Sequence, residues 1–166
     1  MNRSKVALAA LLALGIATVA AQLVTVEPIG EDAPGPPSSN GDGAVPARIE
    51  ALLTRACYDC HSNRTRWPWY SRVAPVSWLV AHDVAVGRKE LNFSEWGSYY
   101  PQTRRRKLQW MGRVLREGSM PPWSYRLMHP RARLTEAERA ILVRWIESAI
   151  SAPAPQATTE WHHLTE

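Results

Sequence analysis

The pentapeptide Cys57-Tyr58-Asp59-Cys60-His61 contains the residues best suited to chemistry. Its pattern, C-x-x-C-H, is the attachment signature for a c-type haem. Two thiols that add across the two vinyl groups of one haem edge must lie about one helical turn apart on the same face, and this spacing provides that. The next histidine then lies under the iron. We interpret Cys57 and Cys60 as the covalent attachments and His61 as the proximal axial ligand.

The two cysteines, which are the only ones in the chain, also allow other interpretations. A C-x-x-C pair can be a thiol–disulfide redox site, but such pairs usually open a helix after a strand, and no convincing strand precedes Ala47. A zinc site needs four ligands, and therefore a distant histidine besides His61. A disulfide between residues three apart would close almost no loop and stabilise little. Covalent haem is the interpretation we favour.

Residues 1–26 carry an export or membrane signal. Arg3 and Lys5 form a basic start, and an uncharged, mostly apolar stretch follows. It fits a cleaved signal peptide, with residues 19–21 as the cleavage site. It also fits an uncleaved anchor, which its length favours, since about 20 apolar residues span a bilayer. In both cases we expect Cys57 on the periplasmic side of a bacterial inner membrane, where thiols meet oxidants.

Composition divides the rest of the chain into a linker, a domain and a tail. Residues 27–45 are rich in proline and glycine, so we expect a flexible linker that cannot bury a core. Residues 46–152 form one domain of ordinary size, and residues 153–166 are expected to be a loose tail. Phosphate-binding motifs are absent, and two of the five net positive charges belong to Arg3 and Lys5. The charge balance therefore does not indicate a nucleic-acid partner.

The apolar periodicity of the domain predicts four helices and no strong strand, so the fold class is all-α. The first helix ends in the haem motif, and the second and third each start at a proline. Gly118 stops the third helix. Thr135 and Glu138 form a capping box that starts the fourth. The helices are predicted over residues 47–60, 75–88, 101–117 and from 135 onward.

The order of these elements has a known parallel. The chain has a helix ending in C-x-x-C-H, a middle helical region, a Met-Pro loop and a C-terminal amphipathic helix. Its most distinctive segments are residues 57–63, 67–70, 75–78, 82, 87–88, 91–96, 120–122 and 145–146. The order resembles the class I cytochrome c fold, and the segments resemble the bacterial family of small, membrane-tethered haem-binding domain proteins. The resemblance implies a cytochrome c-like helical domain around one covalently bound haem.

Several side chains compete to be the second axial ligand of the iron. Met120 is our choice because prolines hold its loop extended, and in the cytochrome c pattern a Met-Pro at this place binds the iron. His82 is the rival, although a histidine there also fits the edge of the core. Met111 lies on the inward face of the third helix and is predicted to be core. A thioether raises the reduction potential, a second imidazole leaves it lower, and a vacant site permits peroxide or small-gas chemistry.

Aromatic and basic residues complete the predicted pocket. Most of the eight tryptophans are expected in the core or in the pocket wall, since the chain has a single phenylalanine. The basic run at residues 104–107 is either a solvated face or a docking patch for an acidic redox partner or anionic lipid. Arg64, Arg66 and Arg72 follow the haem motif, and we expect one or two of them to pair with haem propionates.

The function predicted from these residues is that of a monohaem c-type cytochrome domain. It would hold one haem c with its iron and pass single electrons between redox partner proteins. No acid–base or nucleophile constellation occurs, so an enzyme is not predicted. One alternative is a haem-based sensor or a peroxidase-like protein with an open distal site. The other is a thiol–disulfide oxidoreductase with free thiols at Cys57 and Cys60.

Overall fold

The structure, a computed structural model, describes residues 3–24 and 45–152. Every regular element within these ranges is helical, which confirms the predicted all-α class. Most of the predicted linker and the predicted tail lie outside the described residues. The α-helices are α1 Arg3–Gln22, α2 Ala47–Ala56, α3 Tyr58–His61, α4 Val76–Glu90, α5 Pro101–Glu117, α6 Trp123–Met128 and α7 Glu136–Ser151. The 3₁₀ helices are Trp69–Arg72, Phe93–Ser98 and Pro130–Ala132.

Helix α1 is the predicted signal or anchor segment. By length and composition its 20 residues are able to cross a membrane. None of its side chains is buried in the protein, so its apolar surface does not contribute to the core.

Helices α2, α5 and α7 enclose the core. Helix α7 packs along α5 and against α2. Leu53, Leu115, Leu142 and Ile146 are almost completely buried where these helices meet. Burying each such side chain stabilises the fold by about 1.5–3 kcal/mol relative to leaving it exposed. The core thus depends on aliphatic side chains at helical spacing, as the periodicity predicted.

The tryptophans lie around this core rather than inside it: Trp96 and Trp145 pack against it, and Trp110 lies on the wall of the cavity described below, which agrees in part with the expectation of core or pocket-wall positions. None of the seven within the described residues is buried, and Trp69 and Trp123 are mostly exposed. The aromatic part of the core consists of Tyr58 and Phe93, whose ring centroids lie 5.3 Å apart. The helix crossings are filled by Leu, Ile, Met and Ala, which leaves the larger indoles at the periphery.

The ends of α5 and the start of α7 lie where the sequence placed them. Pro101 occupies the first turn of α5, where a missing N–H leaves no bond unmade. Gly118 ends that helix with a φ of 67°, a left-handed conformation that favours glycine. The hydroxyl of Thr135 accepts from the N–H of Glu138, whose carboxylate accepts from the N–H of Thr135 at 2.8 Å. Helix α6 was not predicted, because six residues are too few to show a period.

The first predicted helix, over residues 47–60, is interrupted inside the haem motif. Cys57 takes φ −128° and ψ −41°, so α2 ends at Ala56 and the chain resumes as the single turn α3. The hydrogen bonds continue on both sides of the break, from the Cys57 N–H to the Leu53 carbonyl and from the His61 N–H to the Cys57 carbonyl. The break is therefore a local departure from helical geometry that leaves these backbone groups paired.

Candidate functional site

One cavity of about 700 Å³ brings together the five residues that the sequence singled out. Cys57, Cys60, His61, Met120 and His82 all line it. Its volume lies within the range of small-molecule and cofactor sites, about 300–1,000 Å³. Apolar residues form much of the remaining wall, among them Leu79, Val86, Phe93, Trp110, Met111 and Val114.

The imidazole of His61 is held by two backbone carbonyls. Its Nδ1 lies 2.8 Å from the oxygen of Gly87 and 3.0 Å from the oxygen of Leu91. Since a carbonyl oxygen only accepts, Nδ1 carries the proton and Nε2 keeps a lone pair. Metal-binding histidines usually donate their other ring N–H in this way, which fixes the orientation of the ring. His61 is thus prepared to bind a metal through Nε2.

Burial keeps the three side chains of the motif uncharged. It lowers the pKa of His61, so the imidazole is neutral near pH 7, as a metal ligand must be. Burial also raises the pKa of Cys57 to about 12 and that of Cys60 to about 11. A thiol–disulfide redox site needs a lowered thiol pKa, so this environment disfavours that alternative. The described residues contain no group of three or more candidate ligands for a zinc site.

Gly87 allows helices α3 and α4 to approach each other closely. A Cβ atom at this position would lie 2.6 Å from the carbonyl oxygen of Cys60. No other residue fits there unless the backbone moves. The carbonyl of the same glycine accepts a hydrogen bond from His61. Gly87 therefore leaves room for the motif and also orients its histidine. In the sequence, a glycine inside a helical pattern was the available signal of this contact.

A buried asparagine fixes the segment that follows α4. The amide of Asn92 donates to the Oδ1 of Asn63 at 2.9 Å and accepts from the N–H of Ser94 at 3.0 Å. The N–H of Asn63 in turn donates to the hydroxyl of Ser94 at 2.9 Å. These bonds join the loop after His61 to the residue that follows Leu91. They therefore support the second carbonyl that holds the imidazole.

Asp59, between the two cysteines, binds other parts of the protein. Its Oδ1 accepts from Nε of Arg66 at 3.1 Å, and its Oδ2 accepts from the hydroxyl of Tyr125 at 2.6 Å. Arg66 was one of three predicted propionate partners, and in this structure its guanidinium binds Asp59. Burial raises the pKa of Tyr125, so its hydroxyl remains a donor. Arg64 and Arg72 do not line the cavity either.

Two cations of the basic run lie at the cavity instead. Arg106 and Lys107 both line it. The Nζ of Lys107 lies 4.7 Å from the centroid of the Tyr99 ring and donates to the carbonyl of Glu90. By contrast, the guanidinium of Arg105 donates to the Ile150 carbonyl. Arg106 and Lys107 are therefore the cations available to the carboxylates of a bound ligand.

The two candidates for the second ligand come from different elements. Met120 is exposed on the loop between α5 and α6, beside the buried Pro121. His82 is exposed on α4 rather than placed at the edge of the core. Helix α4 also carries Gly87, whose carbonyl holds His61. His82 thus lies on the helix whose Gly87 carbonyl binds His61, whereas Met120 lies on a separate loop.

The residues present fit a covalently attached haem. Two thiols, an imidazole with a free Nε2 and a thioether line a single cavity. Its wall is largely apolar and also carries two cations and two acidic residues, Asp83 and Glu90. These are the donor types that a c-type haem uses.

Comparisons with known proteins support haem binding. The chain is similar to the cytochrome c peroxidase Ccp of Escherichia coli (strain K12), with 25% identity over 101 residues. That match covers 57% of this chain, which spans only 21% of the relative. No solved structure matches the chain. Residues 16–148, which include every residue that lines the cavity, match the family of haem-binding domains. The protein therefore belongs to the haem-binding domain family.

Proposed function

We propose that this protein is a monohaem c-type cytochrome domain that carries single electrons on the periplasmic side of a bacterial inner membrane. The observation that carries the proposal is the joint placement of Cys57, Cys60 and His61 on one largely apolar cavity, with His61 oriented by Gly87. Both thiols hold the haem edge, and His61 binds the iron. The haem, when bound, supplies the one-electron chemistry.

The second ligand in this proposal is Met120. Its loop reaches the cavity independently of α4, the helix that supports the proximal imidazole. Met120 would therefore bind the iron from an element that does not also support His61, which would leave that support undisturbed. His82 is the alternative ligand.

The remaining walls exclude water and balance charge. Side chains such as Phe93 and Met111 keep solvent from the metal, which raises the reduction potential. Arg106 and Lys107 bind the propionates and offset their charge.

Helix α1 anchors the domain in the membrane. Arg3 and Lys5 lie at its N-terminal end. Basic residues are retained on the cytoplasmic side of bacterial inner membranes, so the haem domain is on the opposite side. There it exchanges electrons with redox partner proteins.

A peroxidase-like protein is the second candidate. The similarity to part of a cytochrome c peroxidase favours it. Its chemistry would need a distal position open to peroxide. Met120 would then not bind the iron, and His82, which lines the cavity, would be a candidate for proton transfer.

The test is spectroscopy on the full chain, produced in a host with haem-attachment machinery. Haem that stays on the polypeptide after acid–acetone extraction, a c-type reduced spectrum and the weak far-red band of sulfur-bound ferric iron are expected. A variant with both Cys57→Ala and Cys60→Ala is the control and should release its haem. Extractable haem in the parent chain would refute covalent attachment. Covalent haem without the far-red band, together with peroxide turnover, would establish the second candidate.

A further inference from the structure

The end of α1 is bound to the start of α4. The Nε2 of Gln22 donates to the carbonyl of Ala74 at 3.1 Å, and its Oε1 accepts from the Ala74 N–H at 3.1 Å. The indole N–H of Trp78 donates to the carbonyl of Val24 at 3.3 Å. One side chain thus pairs both backbone groups of Ala74, and a second contact follows one turn later. Residues 73–79 are therefore held at the end of the membrane helix.

Exposed apolar side chains surround these contacts. Ala74 and Ser77 are buried, whereas their neighbours Val73, Val76 and Trp78 are 38–41% exposed. We call these three exposed residues the α1-side patch. Single exposed apolar residues are ordinary on protein surfaces, but adjacent ones mark an interaction site. We therefore expect a binding partner to cover this patch.

The position of the patch identifies that partner. A helix of 20 residues is about 30 Å long, which matches the hydrocarbon core of a bilayer. If α1 spans the membrane, its last residues, including Gln22, emerge at the boundary between acyl chains and headgroups. The patch lies at the same level because the hydrogen bonds of Gln22 and Trp78 hold it there. Tryptophan is enriched at this boundary, where its ring meets apolar chains and its N–H meets polar groups.

We infer that the α1-side patch docks the haem domain onto the phospholipid surface of the bilayer that holds α1. The inference rests on the anchoring part of the proposed function. Arg72, exposed beside the patch, adds a cation for anionic headgroups.

Docking determines which side of the haem cavity faces the membrane. Leu79, the residue after Trp78 of the patch, lines the cavity. With a rise of about 1.5 Å per residue along α4, His82 lies only about 5 Å further along the helix axis. This wall of the cavity is therefore held near the membrane surface, and the opposite walls remain available to partners from solution.

Lipid photocrosslinking on the full chain tests this inference. The protein is placed in nanodiscs of phosphatidylethanolamine and phosphatidylglycerol, with some lipids carrying a diazirine at the headgroup–acyl boundary, and adducts are mapped by mass spectrometry. Adducts are expected in α1 and in residues 73–79. Helix α6 is an internal control, since it also exposes large apolar side chains, including Trp123 at 72%. It should carry severalfold fewer adducts.

A pair of matched variants sharpens the test. Val76→Asp places a carboxylate at the first residue of α4, where it suits the helix N-terminus but repels anionic headgroups. It should reduce adducts in residues 73–79 severalfold and leave those in α1 unchanged. Trp123→Asp makes the same kind of change at the first residue of α6 and should leave residues 73–79 unaffected.

Each other result overturns a specific part of the inference. Adducts in α1 without adducts in residues 73–79, equal labelling of α6, or no effect of Val76→Asp would refute docking and leave the anchor intact. An absence of adducts in α1 would refute anchoring and docking together. The visible spectrum of the same sample reports separately on covalent haem.

Discussion

The Nδ1 atom of His61 lies 2.8 Å from the carbonyl oxygen of Gly87, at the point where α4 approaches the haem motif most closely. Gly87 acts through two properties. Its carbonyl fixes the tautomer and orientation of the imidazole, and its missing side chain makes room for the carbonyl of Cys60. The histidine of the motif is therefore held by a residue 26 positions later in the chain.

Replacing Gly87 with alanine should damage the haem site. The new Cβ would lie 2.6 Å from the Cys60 oxygen, so α3 and α4 must separate and the bond to His61 must lengthen. The expected result is a loss of about 1–3 kcal/mol in the free energy of unfolding, as for other overpacked sites. A lower yield of attached haem should accompany it. Denaturant unfolding and the haem-to-protein ratio measure the two effects.

Gly112→Ala is the matched control, because Gly112 is also a buried glycine inside a helix. Its new Cβ would come no closer than 3.4 Å to another atom, the Nη1 of the flexible Arg116. Alanine is favoured over glycine in helices by about 1 kcal/mol, so this variant should be as stable as the parent or more stable. If both alanine variants behaved alike, the close approach at Gly87 would not be what positions the motif.

Met120→Ala should change the ligation and the reduction potential of the iron, whereas His82→Ala should change neither. Loss of the thioether removes the far-red band and lowers the reduction potential, because sulfur favours the reduced metal. The measurements are the ferric spectrum and a redox titration. Met128→Ala, an exposed methionine that does not line the cavity, is the control and should match the parent. A lost far-red band in His82→Ala would instead show that this residue affects the metal.

Much of the fold was predictable wherever a residue acts on its own backbone neighbours. Pro101, Gly118 and Thr135 set helix ends through local φ values and capping bonds, and those ends lie as predicted. The break at Cys57 was not predictable from the sequence. It accompanies the packing of Tyr58 against Phe93, which is 35 positions away in the chain. Such breaks depend on tertiary contacts that a periodic pattern does not contain.

The site shows the same division. The motif and Met120 were chosen by residue type and spacing, and the fold places them on one cavity. The cations were chosen by nearness to the motif, but Arg66 binds Asp59 and does not line the cavity. The cavity-lining cation Arg106 comes from a different helix. Nearness to the motif along the chain does not predict which side chains face the cavity once the chain has turned.

Arg106→Gln should lower the reduction potential. A positive charge beside the cavity stabilises the reduced, less positive haem, and its removal favours the oxidised form. An exposed charge a few ångströms away contributes about 1 kcal/mol, so the shift should be on the order of tens of millivolts. Arg105→Gln is the control, since Arg105 is bonded to Ile150 and does not line the cavity. Equal reduction potentials in the two variants would show that Arg106 does not interact with the propionates.

The capping box of α7 should make stability depend on pH. The Thr135 N–H and Arg55 lower the pKa of Glu138 below its ordinary 4.5, so the folded protein binds this proton more weakly than the unfolded chain. Its contribution is therefore present above pH 4.5 and is lost as the pH falls further. Glu138→Gln should lower the free energy of unfolding by about 0.2–1 kcal/mol at pH 7, as for exposed pairs. In acid, the stability of this variant should approach that of the parent.

Thr135→Ala tests the other half of the box. It removes the hydroxyl that accepts from the Glu138 N–H at 3.2 Å, which should cost about 1 kcal/mol at neutral pH. Thr54→Ala, at an exposed position inside α2, is the control and should be neutral or slightly stabilising, because alanine is the better helix former. Denaturant unfolding gives both values. If Thr135→Ala were as stable as Thr54→Ala, the start of α7 would be fixed by core packing through Leu142 and Ile146 rather than by its cap.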